Sequence, residues 1–310
     1  TRRSNDYNHQ RTFASLMNIR AQKYSGNPIL TPRVEAASFE KACVYNPAAI
    51  VKDNKVYLLY RAEDEYYDRY VSRIGLALRE DGFRFERASG NPILEGEGED
   101  ESRGIEDVRL IQTDQGYFLT YTGYSGRDER GHRIMLSGAF SNDLAHWEKT
   151  GRLVPGREKA GAIVQEYKWQ GKYVMYFGEG LVKVAFSEDL RNWEVKEQPV
   201  LEPRDGYFDS FLVEGGPPPI VTEEGILLVY NSSDGVSYQP SFAVFDKDDP
   251  TKLLDRSDKP ILRPTEYWEM YGKVNAVIFT NALVNFKGKW LLYYGGADKS
   301  IGVAEITFDF

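Results

Sequence analysis

The chain has 310 residues, which fits two ordinary domains or one large one, and all-β barrels and propellers use such a length as a single domain. Its 39 Lys and Arg against 47 Asp and Glu leave a formal charge of −8. That argues against a nucleic-acid binder, which needs a basic face to neutralise phosphates. Apolar runs extend over only a few residues, too short for a membrane-spanning helix.

Taken in chain order, residues 10–24 carry the only helix-like pattern, and the remainder reads as strands. The single cysteine, Cys43, excludes an internal disulfide and a cysteine-cluster metal site, and its apolar run KACVYNPAAI makes it a small core residue. Five aromatic-rich runs follow: KVYLLYR at 55–61, YFLTY at 117–121, KYVMYF at 172–177, ILLVY at 226–230 and KWLLYY at 289–294. Each comes directly after a turn pair: Asp53-Asn54, Gln115-Gly116, Gln170-Gly171, Glu224-Gly225 and Lys287-Gly288. A short phrase recurs between them, as NPIL at 27–30 and 91–94, RLVP at 152–155, QPVL at 198–201 and KPIL at 259–262. A second, polar-turn phrase ending in an aromatic precedes three of these, as EDGFRF at 80–85, NDLAHW at 142–147 and EDLRNW at 188–193.

Self-similarity at such a period indicates a solenoid, propeller or array. Five repeats of several strands predict an all-β fold, a five-bladed β-propeller over 27–310 with a short, partly helical N-terminal extension over 1–26. A β-sandwich is the plainer alternative, but its strands recur every 8–12 residues without a longer period. In a propeller the innermost strands line a central funnel, so polar residues at matching places in successive repeats converge.

Those places hold many charges flanked by small residues: YNPAA at 45–49, RAED at 61–64, SRGIEDVR at 102–109, GEG at 178–180, VEGGP at 213–217 and GGAD at 295–298. Acids gathered in a desolvated funnel acquire the shifted pKa values that acid–base catalysis needs. The histidines His9, His132 and His146 form no recognisable pairing motif.

The set NPAAI, YRAED, RGIEDVR, GGPP and YYGGAD resembles glycoside hydrolase family 130, five-bladed propellers acting on β-mannosides. The resemblance runs from about Asn27 to the end and implies one of two activities: phosphorolysis to mannose 1-phosphate, or inverting hydrolysis of β-1,2-mannosidic bonds. In both, the aspartate of the family's G-(I/L)-E-D-P-R motif is the general acid, delivering its proton by way of the sugar 3-hydroxyl. It falls here on Asp107, followed by Val108 in place of the usual proline.

The family's phosphorylases carry basic or imidazole groups at three places where this chain has Phe177-Gly178-Glu179, Phe211-Leu212-Val213-Glu214 and Tyr230-Asn231. Carboxylates repel phosphate in a low-dielectric site, and a carboxylate is what an inverting hydrolase uses to activate water. The expectation is therefore a β-1,2-mannosidase, with Asp107 as acid and Glu179 and Glu214 preparing water on the opposite face. Asn46, Arg61, Arg103 and Asp298 would hold the mannosyl unit, with Tyr124 against the leaving sugar. Asp64 is a further substrate-binding candidate, unless it forms an ion pair with Arg61. Glu269 is matched in phosphorylases and reads as structural, or as a lesser candidate for base. A phosphorylase with a rearranged phosphate site, a non-catalytic sugar-binding propeller and a furanosidase-type propeller are the competing readings.

No cofactor or metal is expected, since inverting hydrolysis needs none. The expected partner is a β-mannoside oligosaccharide or glycan, with no nucleic acid and no membrane insertion. Because hydrolytic members tend to be exported, the resemblance favours the bacterial periplasm or cell surface over the cytoplasm.

Overall fold

The computed structural model describes residues 17–34 and 38–309. It is a five-bladed β-propeller made of five small antiparallel sheets, four of them built from strands consecutive in the chain. Blade one comprises Cys43–Lys52, Lys55–Glu63, Arg73–Arg79 and Glu86–Arg87. Blade two comprises Ile105–Thr113, Gly116–Asp128, Gly131–Ser141 and Glu148–Arg152, and blade three Ala162–Ile163, Tyr173–Phe177, Val182–Ser187 and Glu194–Leu201. Blade four has Leu212–Gly215, Ile226–Ser233, Tyr238–Phe245 and Leu253–Arg256, with the short strand Ile220–Val221 also on its second strand. Blade five has Ile278–Phe286, Lys289–Gly296 and Ser300–Asp309, and its outermost strand is Asn18–Lys23 from the start of the chain.

That last strand corrects the helical expectation for residues 10–24 where the two overlap; residues 10–16 lie outside the described residues. An edge strand needs only every second residue apolar, and here Ile19 and Ala21 pack inward while Arg20 and Gln22 do not. Pairing it with Ser300–Asp309 joins the two ends of the chain in one sheet, which closes the ring.

The core is divided among the blade interfaces. Leu58 and Tyr60 pack with Tyr293 and Val303 of blade five, whereas Leu59 between them packs with Leu110 and Leu119 of blade two. The alternation of strand side chains thus serves two neighbours at once, so the second strand of each blade reads as a nearly unbroken apolar run. Cys43 is fully buried, and burial pushes its thiol up to about 12, as befits a core residue.

The recurring phrases have local work to do. Asn91 offers its side-chain amide to the backbone of Leu76, accepting at 2.8 Å and donating at 3.0 Å, and Asn27 does the same to Val303 at 3.0 and 2.9 Å. Each fastens the chain onto the third strand of its blade. In the second phrase, Asp81, Asp143 and Asp189 each cap two following backbone N–H groups, making three equivalent turns before an outer strand.

A further repeat lies inside the blades. The second-strand tyrosines Tyr60, Tyr121, Tyr230 and Tyr294 donate to the buried acids Glu40, Glu101, Asp209 and Glu269 at 2.7–2.9 Å. Each acid also takes a cation from the outermost strand of its blade: Arg87, Lys149, Arg256 and Lys23. Glu269 additionally accepts the backbone N–H groups of Thr265 and Glu266, so it is a structural acid. In blade three Tyr176 donates instead to the Pro250 carbonyl at 2.8 Å.

Candidate functional site

At the centre of the ring the inner strands depart from regular pairing. The register slips between Tyr45 and Ala48, between Glu106 and Arg109, and between Thr280 and Ala282. At two of these bulges a non-glycine residue takes a left-handed conformation, Asn46 at φ 45° and Asp107 at φ 51°. Asn and Asp tolerate that region better than most residues, and the bulge re-aims their side chains toward the axis. Val108, fully buried, occupies the position after Asp107, so the bulge forms without the proline. Gly295 permits the close packing behind Asn46, since a Cβ there would lie 2.4 Å from its Oδ1.

The two bulges meet. Asn46 Nδ2 donates to Asp107 Oδ1 at 2.8 Å, and Arg61 Nη1 donates to the same oxygen at 3.1 Å. Arg61 Nη2 donates to Glu106 at 2.7 Å and to Glu63 at 2.8 Å, and its Nε donates to Ser72 at 3.0 Å. Glu63, fully buried, also accepts from Tyr45, Ser72 and Lys273. Arg61 is therefore fixed on all sides, with its guanidinium 4.6 Å from the centre of the Tyr45 ring. Arg109 points away beneath the floor and donates to the carbonyls of Asp107, Gly215 and Gly216, which ties the Asp107 bulge to the GGPP turn of blade four.

Across the opening, Glu214 projects from the inner strand of blade four and is 1 % exposed. Lys159 Nζ stands 2.7 Å from its Oε2 as an ion pair, and no second donor reaches either carboxylate oxygen. Asn46, Arg61, Asp107, Glu214 and Asp298 line one cavity of about 260 Å³, together with Tyr45, Tyr70, Glu106, His132, Lys159, Tyr238 and Lys273.

The electrostatics of this cavity are uneven. Burial pushes the Asp107 carboxyl up, but Arg61, Lys159, the Asn46 amide and Arg109 outweigh it and hold it below the usual aspartate range. Burial and the adjacent Asp107 push Glu106 up against the pull of Arg61. Asp298 is moved up to about 7, mainly by burial, with Arg61 opposing and Asp107 adding to the rise. Burial, Arg127 and Lys159 lower His132, which Glu179 only partly offsets, so its imidazole is neutral at pH 7.

Not every candidate reaches the cavity. Asp64 lies past the end of its strand and faces Arg73 at 3.5 Å, so it pairs with neither Arg61 nor the funnel. Arg103 donates to the Tyr70 carbonyl at 3.1 Å and lies against the Tyr70 ring, while Tyr124 stacks on that ring with centres 6.0 Å apart. Both support a lining residue without lining the cavity themselves. Glu179 is exposed at the tip of a turn, within electrostatic reach of His132.

Lys159, Lys273, His132, Glu106, Glu63, Tyr45, Tyr70 and Tyr238 were not among the candidates. Glu63 could have been found: Arg61 and Glu63 are two apart on a strand and share a face, which Asp64 does not. Glu106 stands beside Asp107 in the RGIEDVR phrase. Lys159 and Lys273 lie in connections outside the repeats, and no spacing signals them.

Comparison with known proteins agrees with this architecture. A family model described as beta-1,4-mannooligosaccharide phosphorylase, glycoside hydrolase family 130, matches residues 11–310. A 1,2-beta-oligomannan phosphorylase from Thermoanaerobacter sp. (strain X514) is 36% identical over 292 residues, covering 92% of this chain and 97% of the relative. A glycosyl hydrolase from Bacteroides ovatus superposes with a TM-score of 0.84 at 32% identity, covering 92% of each chain. A structure solved in showing that the GH130 family of mannoside phosphorylases contains glycoside hydrolases that target beta-1,2 mannosidic linkages in Candida mannan superposes with a TM-score of 0.85. It is 32% identical and covers 92% of this chain and 93% of that one. With the five blades, the RGIEDVR bulge and a match across nearly its whole length, the chain belongs to glycoside hydrolase family 130, an enzyme family acting on mannosides.

Proposed function

We propose that this enzyme hydrolyses β-1,2-linked mannosides with inversion. The observation that carries the reading is Glu214: a buried carboxylate whose one close partner is Lys159 and whose Oε1 has no donor, in the same cavity as Asp107. A free oxygen on a buried carboxylate suits a group that must accept a proton from water. The cavity's cations point the same way. Arg61, Lys159 and Lys273 are each already paired with carboxylates. A phosphate placed about 4 Å from one of those carboxylates would meet a repulsion of about 4 kcal/mol per charge pair at an effective dielectric of 20.

In this scheme Asn46, Arg61 and Asp298 hold the terminal mannosyl unit. Glu214 orients and deprotonates water, and Glu179, exposed outside the cavity lining, takes no part in the step. Asp107 supplies the proton to the leaving oxygen by way of the sugar. Asp107 is held ionised in the open funnel, so it must gain a proton first. Sugar that fills the cavity displaces water, strengthens the burial effect on Asp107 and shifts it toward the protonated form.

A second reading is favoured by specific observations. Lys159, Lys273 and His132 do face the cavity, although the three phosphate-binding places of the family are empty of base, and the Thermoanaerobacter relative is a phosphorylase. Phosphorolysis would require Lys159 to leave Glu214 for phosphate. The deciding experiment is incubation with β-1,2-mannobiose, with and without inorganic phosphate, followed by product identification. Free mannose at a rate indifferent to phosphate is expected. Mannose 1-phosphate formed only with phosphate would replace the hydrolytic reading, and binding without turnover would leave a sugar-binding propeller.

A further inference from the structure

Two segments meet at one side of the cavity mouth. One is the excursion between the second and third strands of blade one, containing the short 3-10 turn Tyr67–Arg69; the other is the connection into blade five, containing the helical turn Tyr267–Met270. They touch where Lys273 Nζ lies 3.6 Å from the centre of the Tyr70 ring, and both residues line the cavity. Each segment also carries a tyrosine pair a few residues along the chain from that contact. Tyr66 and Tyr67 lie with ring centres 6.1 Å apart, and Tyr267 and Tyr271 with ring centres 5.0 Å apart. Tyr67 and Tyr267 are 73% and 79% exposed, and Tyr271 is 55% exposed. Val274, half-exposed and lining the cavity, makes the second segment continuous from the rim inward.

Single exposed aromatics are ordinary on a protein surface. Four tyrosines on two segments that touch at the edge of one cavity are a local concentration of apolar surface, of the kind that marks a binding site. A tyrosine ring offers an apolar face to the C–H groups of a pyranose, and its hydroxyl can bond to the sugar's. The cavity of about 260 Å³ has room for little more than one or two sugar units. The rest of a longer substrate must pass over the rim.

We infer that the Tyr66–Tyr67 and Tyr267–Tyr271 pairs form an outer platform that binds the continuing chain of a β-mannan whose terminal units occupy the funnel. The inference rests on the mannoside reading above, and holds for hydrolysis and phosphorolysis alike. The platform makes longer chains better substrates and contributes nothing to the shortest.

The test measures kcat/KM on the β-1,2-linked disaccharide, trisaccharide and tetrasaccharide, with phosphate present so that either reaction is recorded. Wild type is compared with Tyr67→Ala, Tyr271→Ala and, as a control on the outer strand of blade four, Leu253→Ala. In wild type kcat/KM should climb with chain length. Each tyrosine variant should lose about five- to tenfold on the tetrasaccharide, through KM, and keep its rate on the disaccharide. Leu253→Ala should match wild type throughout. A wild-type kcat/KM independent of length, or tyrosine variants that lower every substrate equally or none, would overturn the platform while leaving the mannoside reading intact. Absence of turnover on every mannoside would overturn both.

Discussion

The molecule uses the same kinds of buried acid in two regions, with opposite treatment. Within the blades, Asp209 is bound by Tyr230, Arg204 and Arg256, and Glu101 by Tyr121, Lys149 and the Glu97 backbone. Each such acid holds at least two donors, a tyrosine hydroxyl and a cation among them. At the funnel, Glu214 is as deeply buried but has Lys159 as its one close partner, and Asp298 is moved up to about 7. A saturated acid holds elements together and has no capacity left for chemistry. An under-satisfied one costs stability and keeps its capacity to exchange protons. Burial alone does not distinguish them; the count of donors does.

The largest expected effects test that division directly. Glu214→Gln should lower kcat by about 10²–10⁴-fold, the usual contribution of a general base. Asp209→Ala should leave activity per folded molecule near wild type, yet strand two arginines and cost about 3–5 kcal/mol of stability. In a chain of this size that is a fall in melting temperature of about 5–8 °C. Thermal denaturation combined with active-site-normalised rates reads both. If Asp209→Ala were as inactive per folded molecule as Glu214→Gln, the two classes of acid would not be separate.

The blades were legible in the sequence because their constraints are local and repeated. A turn pair followed by an aromatic run recurs once per blade, and the Asn-Pro and Asp-turn phrases mark how each blade is fastened. Much of the funnel floor was legible for a related reason: Asn46, Asp107 and Glu214 sit on the inner strands of blades one, two and four, and the symmetry brings those strands together. What escaped notice arrives from outside that symmetry. Lys273 reaches Glu63 across 210 positions, and Lys159 reaches Glu214 from the approach to blade three. The pairing of charges inside the funnel therefore could not be read from spacing, although the acids could. The strand Asn18–Lys23 was missed because an edge strand that packs on one side has too few apolar residues to declare its period.

A smaller effect sharpens the contrast through pH. Asp298 keeps its proton up to about pH 7 in the folded chain, whereas an unfolded aspartate loses it near pH 4. Between those values the folded state binds more protons, so this residue's contribution to stability falls as pH rises and the penalty is complete above pH 7. Asp298→Asn should therefore match wild type near pH 4 and exceed it above pH 7, by about 2 °C or more in melting temperature. A difference constant across that range would mean that Asp298 carries its charge throughout it and is not held protonated by burial.

The smallest effect lies within the blades, where blade three breaks the pattern. Tyr230 donates to a carboxylate, whereas Tyr176 donates to the carbonyl of Pro250, with no acid in the matching place. Hydrogen bonds to charged groups contribute about 1.5–3 kcal/mol, and neutral ones about 0.5–1.5 kcal/mol. Both rings are fully buried and both Phe variants keep the ring, so packing cancels in the comparison. Tyr230→Phe should accordingly destabilise more than Tyr176→Phe, by about 1 kcal/mol in chemical denaturation. Equal losses would locate the worth of these tyrosines in covering a buried acceptor of any kind. The charge on Asp209 would then matter only to its two arginines.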